Sequence, residues 1–311
     1  MLSKCLGALC CAALQLLVLG CETSPAANEC AGLSVEQSAQ PDAGVPDGGA
    51  PPDDPIIVDT DWLQERLGEP DIQLIDTRGA GYEDSRIPGA IHLRPADLAT
   101  TVDGVPSQVM APMEAQPLLR AAGLRNDVTA VVYGEAPEYD PSRIVWTLRY
   151  YGHEDVRYLD GGYAAWVAVD GALDTEPPSN DASEYTIVAV DEGLRVTGDW
   201  VLSQLGEPPY DMPSIQLVDA RSEGEYGGGY IPSARSVNWT RNLESGFLRS
   251  RSELGALYDG MDRTETTVSY CVSGWRGSFA WLTLTALGFE DARLYDGSWN
   301  EWNDGTFPVA Q

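Results

Sequence analysis

The 311-residue chain carries 19 Lys+Arg against 48 Asp+Glu, a formal net charge of −29, and 43% of it is hydrophobic. The hydrophobic share supports a folded core and the length suits two ordinary domains. The charge repels nucleic acid and anionic lipid headgroups, which excludes both as expected partners, and it leaves any anion site to be assembled locally from arginines and backbone N–H groups.

The chain opens on Lys4, its only lysine, and an apolar run from Leu6 to Leu19 that is short for a membrane span. The run ends Val18-Leu19-Gly20-Cys21 and then turns polar. This resembles a bacterial lipobox, which implies a signal peptide over 1–20, lipidation of Cys21 and a place in the cell envelope, with the lipid as the only membrane contact. An ordinary cleaved signal peptide is the plainer alternative. Residues 21–55 include "SAQPDAGVPDGGAPPDDP", which can bury little apolar surface, so a flexible tether is expected. Cys30 lies in it, as an exposed thiol or one that pairs with another molecule. A disulfide to Cys271 is disfavoured by the narrow geometry such bonds demand.

Beyond the tether the chain repeats itself. "IQLIDTRGAGYEDSRIPGA" (72–90) parallels "IQLVDARSEGEYGGGYIPSA" (215–234), "TAVVYG" (129–134) parallels "TTVSYC" (266–271), and "LRYYGHEDVRYLDGGYAAW" (148–166) parallels "LTALGFEDARLYDGSWNEW" (284–302). Three blocks in one order predict two similar domains, 56–175 and 186–311, joined by a linker near "EPPSNDASEY" (176–185). Each reads as short buried strands (72–76, 129–133 and 156–160; 215–219, 266–270 and 292–296) alternating with helices, such as 142–151 and 278–287. The predicted class is α/β: in each domain a mostly parallel sheet with helices on both faces. Function in such sheets gathers at the carboxyl ends of strands.

Cys271 stands at one of those ends, in "SYCVSGWRGS" (269–278). A thiolate is the reactive form of cysteine, and an ordinary thiol ionises only at about pH 8.5. Here the bend 272–276 can turn backbone N–H groups around the sulfur, Gly274 and Gly277 permit the curve, the following helix adds its N-terminal dipole and Arg276 adds a full charge. Such a cradle suits a thiolate, a persulfide and an incoming sulfur oxyanion. Val272, Ser273, Gly274, Trp275 and Arg276 are therefore candidate binding residues. Arg221, which with Asp219 flanks a strand end as Arg78 and Asp76 do in the first repeat, is expected either as a supporting charge or as a structural clamp. Arg241, Arg249 and Arg251 are further candidate cations. The first repeat has Gly134 in place of Cys271, and residues 31–270 contain no thiol. The first domain is thus expected to wall one side of the site. His92 and His153 both fall in it, so no Cys–His or Ser–His–Asp set and no metal-ligand spacing is read, and no cofactor is implied.

With "DAR" (219–221), "YIPSA" (230–234), "CVSGWR" (271–276) and "YDGSWNEW" (295–302) in this order, the chain resembles the tandem-domain rhodanese family of thiosulfate and mercaptopyruvate sulfurtransferases. The resemblance runs from about residue 56 to 311. It implies a nucleophilic Cys271 that takes sulfur from thiosulfate as a persulfide and passes it to cyanide or a thiol, in a chain expected to be monomeric. Two positions depart from familiar members: Glu225 stands where some have a basic residue that contacts thiosulfate, and Ser273 where some have lysine. A mercaptopyruvate enzyme and a non-catalytic persulfide carrier or redox sensor are the alternatives. A phosphatase of the related cysteine-loop type would need five residues between Cys and Arg, and this loop has four.

Overall fold

The computed structural model describes residues 56–176 and 181–311. The proposed lipobox with Cys21, the tether with Cys30 and part of the expected linker lie outside the described residues. In the first domain seven strands run β1 (Ile57–Val58), β2 (Ile72–Asp76), β3 (Ile91–His92), β4 (Ala99–Val102), β5 (Val105–Val109), β6 (Thr129–Tyr133) and β7 (Val156–Leu159). Between them lie α1 (Thr60–Arg66), α2 (Pro112–Ala121), α3 (Asp140–Tyr150) and, last, α4 (Gly162–Ala168). The second domain repeats the plan with β8 (Arg195–Val196), β9 (Gln216–Asp219), β10 (Arg235–Ser236), β11 (Leu243–Glu244), β12 (Phe247–Leu248), β13 (Thr267–Tyr270) and β14 (Ala292–Tyr295), and with α5 (Gly198–Leu205), α6 (Glu223–Gly227), α7 (Arg251–Leu257), α8 (Trp275–Leu287) and α9 (Ser298–Trp302).

The sheets share one topology. The first orders its strands β1-β7-β6-β2-β3 and the second β8-β14-β13-β9-β10, every pair parallel, with β4–β5 and β11–β12 as separate antiparallel hairpins. β6 and β13 are central and are buried on both faces except at Thr129, which is why "TAVVY" reads as a near-continuous apolar run, while β13 buries the hydroxyls of Thr267 and Ser269 beside Val268 and Tyr270.

Two helices carry the domain interface. α3 buries Ile144, Val145, Trp146 and Leu148, and α8 buries Phe279, Ala280, Trp281, Leu282, Leu284 and Leu287. Neither keeps a wide polar face, because each lies on its own sheet and against the other helix. One apolar cluster consequently runs through both domains, from Ile75 and Val132 to Val218 and Leu294. The polar contacts across the seam are reciprocal. The Val109 N–H of the first domain donates to Asp296 Oδ2 of the second (2.8 Å), and the Leu248 N–H of the second donates to Asp160 Oδ1 of the first (3.0 Å). Ser142 Oγ and Ser278 Oγ, equivalent residues of α3 and α8, meet at 3.1 Å.

Both interface helices begin earlier than the sequence suggests: α3 at Asp140 rather than 142, α8 at Trp275 rather than 278. Pro141 in the first turn suits the start of α3. At α8 the N-cap Gly274 turns left-handed (φ +82°) and delivers the chain straight into the helix, so Trp275 and Arg276 belong to its first turn and not to the loop. Among the described residues no helix is long and apolar enough to cross a membrane.

Candidate active site

Cys271 follows the last residue of β13 and is 1% exposed. Its backbone is fixed by α9. The Cys271 N–H donates to Ser298 Oγ (3.2 Å), while the Cys271 and Val272 carbonyls accept the N–H groups of Trp299 (3.0 Å) and Asn300 (2.9 Å). Ser298 holds a left-handed backbone (φ +52°), uncommon for a residue with a side chain, and its hydroxyl also donates to the Tyr295 carbonyl (2.7 Å). The carbonyls of residues 271 and 272 thus turn toward α9. The N–H groups of 272–277 donate to no protein acceptor among the described residues, which leaves six donors at the head of α8 free for an anion.

Two glycines set the bend against its surroundings. A Cβ on Gly274 would lie 2.8 Å from the Asp296 carbonyl oxygen, 3.0 Å from Asp296 Oδ1 and 3.1 Å from Arg143 Nη1. On Gly277 it would lie 2.9 Å from Leu294 Cδ1 and 3.2 Å from the Tyr270 backbone, so α8 packs on β13 and β14 only without a side chain there. Beneath Gly274 sits the seam's buried charge cluster. Asp296 (0% exposed) pairs with Arg143 of the first domain (2.7 Å) and with Arg195 (3.3 Å), as close ion pairs rather than aligned hydrogen bonds. Arg143 also donates through Nη2 to the Ser107 carbonyl (3.2 Å). The first domain therefore reaches under the loop.

Arg276 is held by Glu225 in a bidentate pair, Nη1 to Oε2 and Nη2 to Oε1, both 2.8 Å. The hydrogen bonds that Arg276 donates to Glu225 raise the arginine's pKa against the cost of its burial, and Cys271 adds to the rise. The same pair, aided by Ser222, brings the Glu225 carboxyl down to about 2. Tyr139, in the first domain, has its pKa raised by burial first and Asp140 next, with Arg276 opposing and Cys271 adding. Its ring meets Trp239 edge-on at 5.2 Å.

The other expected residues are placed as follows. Val272, Ser273 and Trp275 are half-buried in the loop and first helical turn, and the Trp275 indole N–H is buried without a partner among the described residues. Arg221 is 2% exposed on its side chain. It gives Nε and Nη2 to Asp219 and Nη2 also to the Gly229 carbonyl (2.8 Å), and it lies over Trp299 (4.1 Å). Arg78 makes the same clamp with Asp76 and the Ser85 carbonyl in the first domain, so the clamp belongs to the duplicated fold. Arg251 caps the end of α8 through the Ala286 (2.7 Å) and Leu287 (3.1 Å) carbonyls, Arg249 faces Glu244 and Glu253, and Arg241 is exposed. His92 stacks on Tyr82 and donates to the Arg78 carbonyl, while buried His153 bonds to the Val128 carbonyl. Among the described residues no group of three His, Cys, Asp or Glu could hold a metal ion.

The first domain's equivalent loop is closed. A Cβ on Gly134 would lie 2.6 Å from Thr77 Oγ1 and 2.7 Å from Pro141 Cγ, so a cysteine has no room there. Sequence reasoning missed Ser298, Tyr139 and Arg143, and it saw Glu225 only as a lost basic residue. The shared loop spacing carries no sign of them. Arg143 and Asp296 are both charged residues at the predicted strand and helix ends, which was the one available hint.

A family model described as a rhodanese-like domain matches the chain twice, over residues 59–169 and 197–304. A sulfur carrier protein of Thermus thermophilus (TtuD) is 32% identical over 272 residues, covering 80% of this chain and 94% of that protein. A thiosulfate sulfurtransferase of Corynebacterium glutamicum is 32% identical over 272 residues, covering 80% of this chain and 87% of that protein. The crystal structure of SseA from Escherichia coli, described with the fold and mechanism of 3-mercaptopyruvate enzymes, superposes with a TM-score of 0.71 at 28% identity, covering 79% of this chain and 99% of that one. With both halves matched and the two sheets alike strand for strand, the chain belongs to the rhodanese-like family as a tandem of two such domains.

Proposed function

We propose that the protein is a sulfurtransferase that carries sulfane sulfur on Cys271, with thiosulfate as donor and cyanide or a thiol as acceptor. The observation that carries this reading is a buried thiol at a strand end, the one free cysteine among the described residues, beside six backbone N–H groups at the head of α8 that have no protein acceptor there. In the first half-reaction the Cys271 sulfur attacks the outer sulfur of thiosulfate. The S–S bond of thiosulfate breaks, and sulfite leaves with the electron pair. The persulfide then rests under the N–H groups of the loop. In the second half-reaction the acceptor attacks the terminal sulfur, and Cys271 departs as thiolate. Splitting the transfer in two replaces one hard step with two easier ones. Four residues between Cys271 and Arg276, with relatives named as sulfurtransferases, favour sulfur over phosphate chemistry. The arginine-closed loop favours thiosulfate over mercaptopyruvate.

The test is thiocyanate formation from thiosulfate and cyanide, with mercaptopyruvate as the comparison donor. Cys271→Ser should abolish it with the fold intact; retained activity would place the chemistry elsewhere. A relative named as a sulfur carrier favours a second reading, in which Cys271 is loaded by a partner and turns over poorly with free donors. Persulfide on Cys271 without thiocyanate turnover would select it. The proposed envelope location rests on the lipobox: Cys21→Ser should move the protein out of the membrane fraction, and an unchanged distribution would refute the anchor.

A further inference from the structure

Arg276, in the first turn of α8, already holds an anion. Both Nη atoms of Arg276 are 2.8 Å from the Glu225 oxygens, the fork geometry with which arginine takes any trigonal or tetrahedral oxyanion. Glu225 is itself fixed: its Oε2 accepts the Ser222 N–H (2.9 Å) and hydroxyl (2.6 Å) in the capping box that opens α6. The pair is 20% and 36% exposed on the two side chains, so a solute can reach it. The carboxyl, held near 2, is charged at every working pH.

We infer that Glu225 is an internal competitor for the oxyanion position on Arg276 and sets reagent specificity by charge. An anionic donor must displace a tethered carboxylate, whereas a neutral reagent reaches Cys271 with the pair intact. This rests on the reading of Cys271 as the nucleophile, and it deepens that reading by naming the residue that discriminates among donors. A group tethered at a short distance competes as if present at millimolar concentration or more. Removing its charge should therefore favour small anions by roughly three- to thirty-fold, the range open to a competitor that is strong but exchangeable.

The experiment compares alkylation of Cys271 by iodoacetate, an anion, and iodoacetamide, its neutral analogue. The full-length chain is used and Cys271 is followed by peptide mass spectrometry. Glu225→Gln keeps a capping-box residue at its position, so the helix cap survives. In this variant the iodoacetate-to-iodoacetamide rate ratio should rise about tenfold, and adding Arg276→Gln should cancel the rise. Glu225→Asp keeps the charge but draws it back from the fork, so it should give a smaller rise, and it decides the matter if the glutamine variant is unstable. An unchanged ratio with a normal iodoacetamide rate would overturn the inference and leave Glu225 as a helix cap alone. The ratio is independent of sulfur transfer. If it rises while neither protein makes thiocyanate, the thiosulfate reading fails and the competitor stands. If both make thiocyanate with equal KM and an equal ratio, the reverse holds.

Discussion

Gly274→Ala tests whether the bend over the first domain's charge cluster sets the chemistry. Two costs add at this residue. The left-handed backbone (φ +82°) charges any side chain about 1–2 kcal/mol. The new methyl would also press on the Asp296 carbonyl at 2.8 Å, on its Oδ1 at 3.0 Å and on Arg143 Nη1 at 3.1 Å. Backbone and a paired, buried carboxylate cannot retreat cheaply, so the loop must lift, at a further cost of about 1–3 kcal/mol as for an overpacked core. Gly260→Ala is the control. It has nearly the same angle (φ +80°) and nothing within 4 Å of the added carbon, so it should show the backbone cost alone. For a chain of this size each kcal/mol lowers Tm by about 2–4 °C. The control should lose a few degrees at unchanged kcat/KM. Gly274→Ala should lose more and, with the bend shifted relative to Cys271, about a hundredfold in kcat/KM for thiocyanate formation, the scale of a 1 Å misplacement. Equal Tm losses with full activity in both variants would refute the claim that Asp296 and Arg143 support the loop.

Arg143→Met removes one cation from buried Asp296 but leaves Arg195 and the Val109 N–H, so the loss should fall at the low end of the about 3–5 kcal/mol typical of a broken buried pair; urea denaturation reads it. Ser298→Ala deprives the Cys271 N–H of its acceptor and should cost about 1–3 kcal/mol in thermal unfolding. Asp160 is the pH probe: burial raises its carboxyl from 3.8 to about 6, against the Leu248 and Gly161 N–H groups, which lower it. A raised carboxyl favours the protonated fold, so its contribution is full below about pH 4 and is lost as pH rises through 6. The Tm difference between Asp160→Asn and wild type should grow by about 1–3 kcal/mol equivalent over that window and then level off; a constant difference would contradict the assignment.

The duplicated strand blocks were legible because central parallel strands are buried on both faces: "TAVVY" shows it in its residues, and "TTVSY" shows it through its parallel with that block. Cys271 was legible for the same reason: a strand end is where the chain must turn. The start of α8 was not, because it depends on the backbone angle of Gly274, and a glycine in sequence announces freedom without saying which way it is used. The partners were hidden by distance along the chain. Arg143 meets Asp296, Tyr139 meets Trp239 and Glu225 takes Arg276 only after two domains close on each other or a loop folds back. The charge expected from Arg221 is, in the structure, committed to Asp219 and the Gly229 carbonyl.

The reciprocal seam has a consequence for assembly. Val109 on Asp296 and Leu248 on Asp160 are one contact made twice about a pseudo-dyad, with Ser142 and Ser278 on the axis. That is the self-complementary pattern by which two identical subunits close a twofold ring. Here both halves lie in one polypeptide, so each patch has already met its complement and the ring is shut within the chain. A second copy finds no unspent half of this surface. Departure from symmetry also carries no penalty of being repeated: Gly134 and Cys271, or Arg143 and its counterpart Phe279, can differ because each change is made once.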